Sequence, residues 1–216
     1  MLKADLHLHT HWSHDSGAQP RSIVDRCIKA GLSCIAVTDH NSIAGALEVR
    51  DLAPFQVIIG EEIKSSAGDI IGLFLEEEIP KGLSPEETVR AIISQGGLVM
   101  VPHPFDRFRA SALTYDALCE MVEQVDIVEG FNAHNFFQRD NEQAASFARK
   151  HRVMQVAVSD SHTPRELGST YMEMPTFDGT PGGFKEALAQ GRQVTRRAHP
   201  VLRLAPMYTK LRRRFS

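Results

Sequence analysis

No apolar run in this sequence approaches the roughly 20 residues that a bilayer-spanning helix needs. The opening Met1-Leu2-Lys3-Ala4-Asp5-Leu6-His7 has no apolar signal-peptide core. Cysteine is scarce: Cys27, Cys34 and Cys119 are an odd number and none has CxxC spacing. That excludes a disulfide frame and a thiolate metal site, and leaves three small core residues of a reducing compartment. No membrane partner and a cytoplasmic location are the expectations. Charge of one sign is also lacking. The net charge is -3, so no broad basic field points to nucleic acid. The exception is Lys210, Arg212, Arg213 and Arg214, which reads as a solvated basic tail over residues 201–216 after a single domain at 1–200. Repeats, low-complexity stretches, a GxSxG elbow and a P-loop are all missing. Covalent serine catalysis and P-loop nucleotide binding are thereby disfavoured.

What is present is a chain of 216 residues with 42% hydrophobic content, enough for one large core. Short apolar runs alternate with amphipathic stretches. Strands are expected at residues 2–8, 33–38, 57–60, 70–75, 98–102, 125–131, 153–158 and 192–196. Helices are expected at 20–30, 41–52, 84–95, 115–122, 138–150 and 181–189. Ser84-Pro85-Glu86-Glu87 spells a helix start, and Gly31 and Gly96-Gly97 spell stops. Continuous apolar strands between amphipathic helices indicate an α/β fold with a parallel sheet covered on both faces, either open or closed into a barrel.

Ten histidines are the compositional excess, and most stand at strand ends. Asp5-Leu-His-Leu-His-Thr10 is followed by Asp15. Thr38-Asp-His40, Gly60-Glu-Glu62, Pro102-His-Pro104 and Ser159-Asp-Ser-His162 complete the set. Parallel α/β folds deliver their loops, and so their chemistry, at the C-terminal strand ends. In extended backbone, residues two apart share a side, so His7 and His9 can grip one ion, as can Asp160 and His162. Imidazole with carboxylate suits divalent Zn, Mn or Fe. At least eight such donors on five strand ends exceed what one closed structural ion needs, and imply a multinuclear site with open positions.

Those motifs, in that order from residue 5 to about 170, resemble the PHP family, the polymerase and histidinol phosphatase domain. The resemblance implies a distorted (β/α)7 TIM-like barrel holding two to three divalent metal ions (Zn, Mn or Fe). By the same resemblance His7, His9, Glu62 and Asp160 hold the first ion. Glu62 bridges to a second ion on His103, and Asp15, His40 and His162 hold a third. Where the family often supplies a further His to the second ion, this chain has Asp69, either a ligand or a strand-edge acid. Asp39 and Asp5 are placed to orient imidazoles. His134 is either a ligand or substrate contact or a loop hydrogen-bonding residue. Arg107 and Arg109, after the His103 strand, are candidate phosphate binders, and Arg165 a weaker one. His11 and His14 read as loop residues, His151 and His199 as ordinary ones.

The implied activity is hydrolysis of a small molecule's or nucleotide's phosphomonoester by a metal-activated hydroxide. His40, His134 or a metal-held water are the candidate proton donors. Only about forty residues separate Glu62 from His103, too few for the insertion that some nucleotide-directed relatives carry. A small phosphorylated substrate is therefore the first expectation, and a short oligonucleotide or cyclic phosphodiester the second. A metal-dependent amidase and a non-catalytic phosphate-binding module are the readings from other classes. Oligomeric state is not legible in the sequence.

Overall fold

The computed structural model describes residues 1–214. Nine strands form one sheet in the order β7-β6-β5-β4-β3-β2-β1-β8-β9. They are β1 (Leu2–Leu8), β2 (Cys34–Val37), β3 (Gln56–Ser65), β4 (Gly68–Leu73), β5 (Leu98–Val101), β6 (Ile127–Asn132), β7 (Met154–Val158), β8 (Tyr171–Met174) and β9 (Arg192–Val194). The first seven curl into a nearly closed barrel. Its seam lies between β1 and the end of β7, where Leu8 bridges Ser161 in parallel and the His9 N–H donates to the Ser161 carbonyl at 2.8 Å.

Among the described residues seven α-helices accompany the strands: α1 (Pro20–Ala30), α2 (Ala44–Leu52), α3 (Pro85–Ser94), α4 (Tyr115–Met121), α5 (Gln138–His151), α6 (Pro181–Ala189) and α7 (Ala205–Arg214). Local chemistry sets their ends. Ser84 Oγ accepts from the Glu87 N–H while Glu87 Oε2 accepts from the Ser84 N–H, a reciprocal cap that starts α3. Gly31 closes α1 in the left-handed conformation, φ 72°.

Both faces of the barrel strands are buried. On β2, Ile35 and Val37 join one apolar cluster with Ile23, Val49 and Ile92 from the surrounding helices. Cys34 and Ala36 join the other, with Leu6, Met100, Val158 and, from α6, Phe184. Strands buried on both sides read as unbroken apolar runs, which is why the sequence shows them so clearly. Burial also pushes the Cys34 thiol up to about 12, so it packs as a neutral side chain.

The sheet is mixed where an all-parallel one is expected from the strand pattern. β4 runs antiparallel to both β3 and β5, because only Ser66 and Ala67 join β3 to β4 and a parallel crossover needs a dozen residues or more. β8, absent from the expected strands, pairs antiparallel with β1 and β9 and buries Met172 and Met174 in the cluster of Leu6 and Val158. Among the described residues no helix is long and apolar enough to cross a membrane.

Candidate metal centre

β1 ends at Leu8 and delivers His7 and His9 to one point, their Nε2 atoms 3.0 Å apart. Glu62, well inside the long strand β3, and Asp160, just after β7, reach the same point from other sides. Glu62 Oε2 lies 3.5 Å from each of those two nitrogens, and Asp160 Oδ1 lies 3.4 Å from each. These spacings match the edges of a tetrahedron around an ion with ligand bonds of about 2.0–2.1 Å. All four side chains are fully buried or nearly so. Glu62 Oε2 and Asp160 Oδ1 accept no well-aligned hydrogen bond, although buried carboxylate oxygens ordinarily have donors. The donor set therefore fits a divalent cation.

Two further groups adjoin it. Glu62, Asp69 and His103 offer ligand atoms within 4.8 Å of one another, as do His9, Asp15, His40 and His162. His103 Nε2 is 3.0 Å from Glu62 Oε1. His40 spans the groups, with Nδ1 3.0 Å from Glu62 Oε2 and Nε2 3.2 Å from Asp15 Oδ2. His162 Nε2 is 3.5 Å from Asp15 Oδ1, which also lacks an aligned donor. The backbone is strained at this edge. His103 (φ 32°) and Asp160 (φ 52°) occupy the left-handed region that non-glycine residues avoid.

Electrostatics follow from burial and crowding. Burial and the neighbouring imidazoles push His9 down to about 3, so it is a neutral lone-pair donor. Burial would lower His40 as well, but Glu62 and Asp15 outweigh it and hold His40 at about 10. His7 is likewise raised against its burial by Asp160, Glu129 and Glu62. Burial alone would raise the carboxyls of Glu62, Asp160 and Asp15. The facing imidazoles, and Arg109 for Asp160, instead keep them below the usual range.

The surrounding contacts orient the ligand atoms. Asp39 accepts from Ser13 Oγ at 2.6 Å, and Ser13 Oγ in turn meets His9 Nδ1 at 3.0 Å. Asp39 also accepts from the Thr10 N–H and hydroxyl, both at 2.7 Å. Gly45 of α2 lies against this pair, where a Cβ would stand 2.1 Å from Asp39 Oδ2. Asp5 accepts from the Ser159 N–H at 3.0 Å, fixing the turn before Asp160. Burial pushes its carboxyl up to about 7.

One residue of the site escaped the sequence reading. Glu129, buried in β6, accepts from His7 Nδ1 at 2.6 Å. Its other oxygen accepts from the His103 N–H and from Asn132 Nδ2, each at 2.8 Å. The signal was available: an acid inside Ile127-Val-Glu-Gly-Phe131 is costly to bury without partners of this kind.

The other expected residues separate into those near the cluster and those away from it. Arg109 Nη2 bonds Asp160 Oδ2 at 2.7 Å and lines the cavity above the donors. Arg107 turns instead to Asp140 of α5, 2.7 Å away, and to the Phe137 ring. Asp69 is buried, with Lys64 Nζ 3.4 Å from its Oδ1. His134 lines the cavity and meets Glu166 Oε1 through Nε2 at 2.5 Å. Glu166 also takes the N–H groups of His162 and Thr163, which ties the His162 loop to His134. His14 lines the rim.

The cavity has a volume of about 890 Å³. Lys64, Arg109, Arg197, Arg203 and Lys210 give it cations, and Phe108 and Phe136 give it rings. The basic segment expected as a solvated tail contributes here through α7.

Comparison with known proteins covers most of the chain. The PHP domain family matches residues 5–161, and the PHP-associated family matches residues 138–193. An uncharacterized protein of Methanocaldococcus jannaschii is 42% identical over 149 residues, 62% of this chain and 84% of that one. A second from the same organism is 34% identical over 176 residues, 80% of this chain and 70% of that one. Among solved structures, a two-domain protein from Bacteroides vulgatus containing a predicted PHP-like metal-dependent phosphoesterase superposes with a TM-score of 0.74. It is 20% identical, with 97% of this chain and 69% of that chain covered.

Proposed function

The chain belongs to the PHP domain family, and from that premise we propose that it is a metal-dependent phosphoesterase acting on a phosphomonoester of a small molecule or nucleotide. The observation that carries the reading is the pair of buried carboxylate oxygens, Glu62 Oε2 and Asp160 Oδ1. They lack aligned donors and stand at cation spacing from two imidazoles.

His7, His9, Glu62 and Asp160 would hold one ion, Glu62, His103 and Asp69 a second, and Asp15, His40 and His162 a third, with Zn, Mn or Fe suited to this donor set. Such ions, when bound, supply Lewis acidity toward a phosphoryl group and make a nucleophile available near neutral pH. The chain's own residues do the rest. Glu129, and Ser13 with Asp39, fix the ring orientations of His7 and His9. Arg109 holds Asp160 in place and presents its guanidinium to the cavity, where it can meet a phosphate oxygen. The cavity volume of about 890 Å³ is that of a site for one small ligand, which favours a small phosphomonoester over a polymer.

The test is metal analysis of the purified protein combined with turnover of phosphomonoester, phosphodiester and amide panels. Phosphomonoester hydrolysis that chelator abolishes and divalent ion restores is the expected result. His9→Ala and Asp160→Ala should lose it while remaining folded. Full activity in either variant, or turnover confined to amides, would overturn the proposal.

A further inference from the structure

Residues 197–213 fold back over the mouth of the barrel, and their contacts are specific. The Arg213 guanidinium donates to the carbonyls of His11, Ser13 and Ser16, each at 2.9 Å. These three carbonyls belong to the β1–α1 loop that carries Asp15. Three residues earlier on the same helical face, Lys210 Nζ stands 3.2 Å from Asp15 Oδ2. Arg203 Nε donates to the Ala198 carbonyl at 3.1 Å, and Arg203 lines the same cavity with Leu204, Pro206 and Met207 of this segment.

Apolar burial anchors the start of this segment at Ala198, whose N–H also donates to the Ala133 carbonyl at 3.0 Å, but gives little hold along α7. Met207 is 65% exposed, Tyr208 66% and Leu211 55%. Fixing a backbone costs about 1–2 kcal/mol per residue, so the order of α7 leans on the directional contacts of Lys210 and Arg213 with the Asp15 loop. The charge pattern gives those contacts a purpose. The cavity is lined by five cations against three carboxylates, Asp15, Asp69 and Asp106. Cations neutralising Asp15 and Asp69 would leave a positive vestibule, a field suited to an anion.

We propose that α7 and the turn Leu202–Leu204 before it form a wall of the substrate site, with Lys210 and Arg203 as substrate-binding residues for the anionic group and Arg213 as the latch that holds the wall there. The assignment of the anion as a substrate's phosphate rests on the phosphoesterase reading. Lys210 then has two alternating partners, Asp15 when the site is empty and the phosphate when it is filled.

The test uses the full-length, metal-loaded protein with Lys210→Met, Lys210→Arg and Arg213→Ala. Inorganic phosphate is titrated calorimetrically, p-nitrophenyl phosphate kinetics are recorded, and metal content and tryptic cleavage within α7 are followed. Lys210→Met should weaken phosphate binding and raise KM about tenfold, with a smaller effect on kcat. Lys210→Arg should recover most of that loss. Arg213→Ala should speed cleavage of α7 and weaken phosphate binding, and phosphate should slow cleavage of the wild-type helix. Unchanged phosphate affinity in Lys210→Met would overturn the proposal. Loss of metal with phosphate affinity unchanged would do so too, since Lys210 would then serve only to balance Asp15. Phosphate binding through Lys210 without turnover of any phosphomonoester would remove the phosphoesterase reading and leave the wall. A wild-type protein that binds no phosphate would remove both.

Discussion

Glu129→Gln is the sharpest test of how the centre is prepared. Glu129 accepts three hydrogen bonds, one from His7 Nδ1 on Oε1 and two, from the His103 N–H and Asn132 Nδ2, on Oε2. When an ion displaces the second proton of His7, the carboxylate keeps the remaining one on Nδ1 and leaves the Nε2 lone pair for the ion, between Glu62 and Asp160. Glutamine is nearly the same size but has one acceptor oxygen. If that oxygen stays with the two donors near His103, the amide NH₂ faces His7 Nδ1 and drives the proton to Nε2, where the ion should bind. If it turns to His7, two donors confront an NH₂ group in a buried place, at about 1–3 kcal/mol. Residues that orient a metal-bound His are worth about 10–100-fold in metal affinity, or roughly 1.4–2.8 kcal/mol. Tautomer reversal places this variant at the upper end. Competition against a chromophoric chelator at neutral pH measures the affinity, and melting in chelator checks the metal-free fold. A well-folded Glu129→Gln protein with wild-type metal affinity would refute the orienting role.

Three further outcomes follow from the charges described. In the metal-free protein His40 titrates at about 10 and His7 is also raised, so ion binding near pH 7 should release about two protons. Calorimetry in buffers of different ionisation enthalpy reads that number, and no release would contradict the protonation states. Glu61 is buried with Oε1 unpartnered and Oε2 taking the Ile79 N–H at 2.8 Å, and burial pushes it from 4.5 to about 8. A folded value above the unfolded one means its contribution is intact below 4.5 and fades as pH rises through 8. Glu61→Gln should therefore gain about 1–3 kcal/mol over wild type between pH 5 and pH 8 in denaturant melts; a gain that shrinks with pH would reverse the argument. Arg109→Met removes the principal partner of Asp160 Oδ2, leaving Asn132 at 3.1 Å. It should destabilise the metal-free protein by about 1–3 kcal/mol and lower phosphoesterase turnover, and unchanged melting would show that Asn132 suffices.

The strand-end motifs were legible because they are local: His7 and His9 are two apart on one strand, and each of the others follows an apolar run. Periodicity could not give strand direction, so β4 read as one more parallel strand. The two-residue Ser66-Ala67 connection did contain that information. Glu129 was hidden by its company, an acid within a strand otherwise read as core. The alternation of half-buried Tyr171 and Glu173 with buried Met172 and Met174 is a strand signature too short to separate from loop. Arg213 shows the limit most plainly. Its partners are main-chain carbonyls of residues 11–16, and carbonyls are the same at every position in a sequence.

The barrel closes at the Leu8–Ser161 seam, and that seam runs directly under the ligand cluster. His9 hangs from one lip and Asp160 from the other, so a cation gripping both would rivet the start of the chain to its seventh strand. The main-chain bonds already join the two lips, so loading would add a second fastening to a ring that is closed without it, and stripping the ion should loosen the cylinder along that line first.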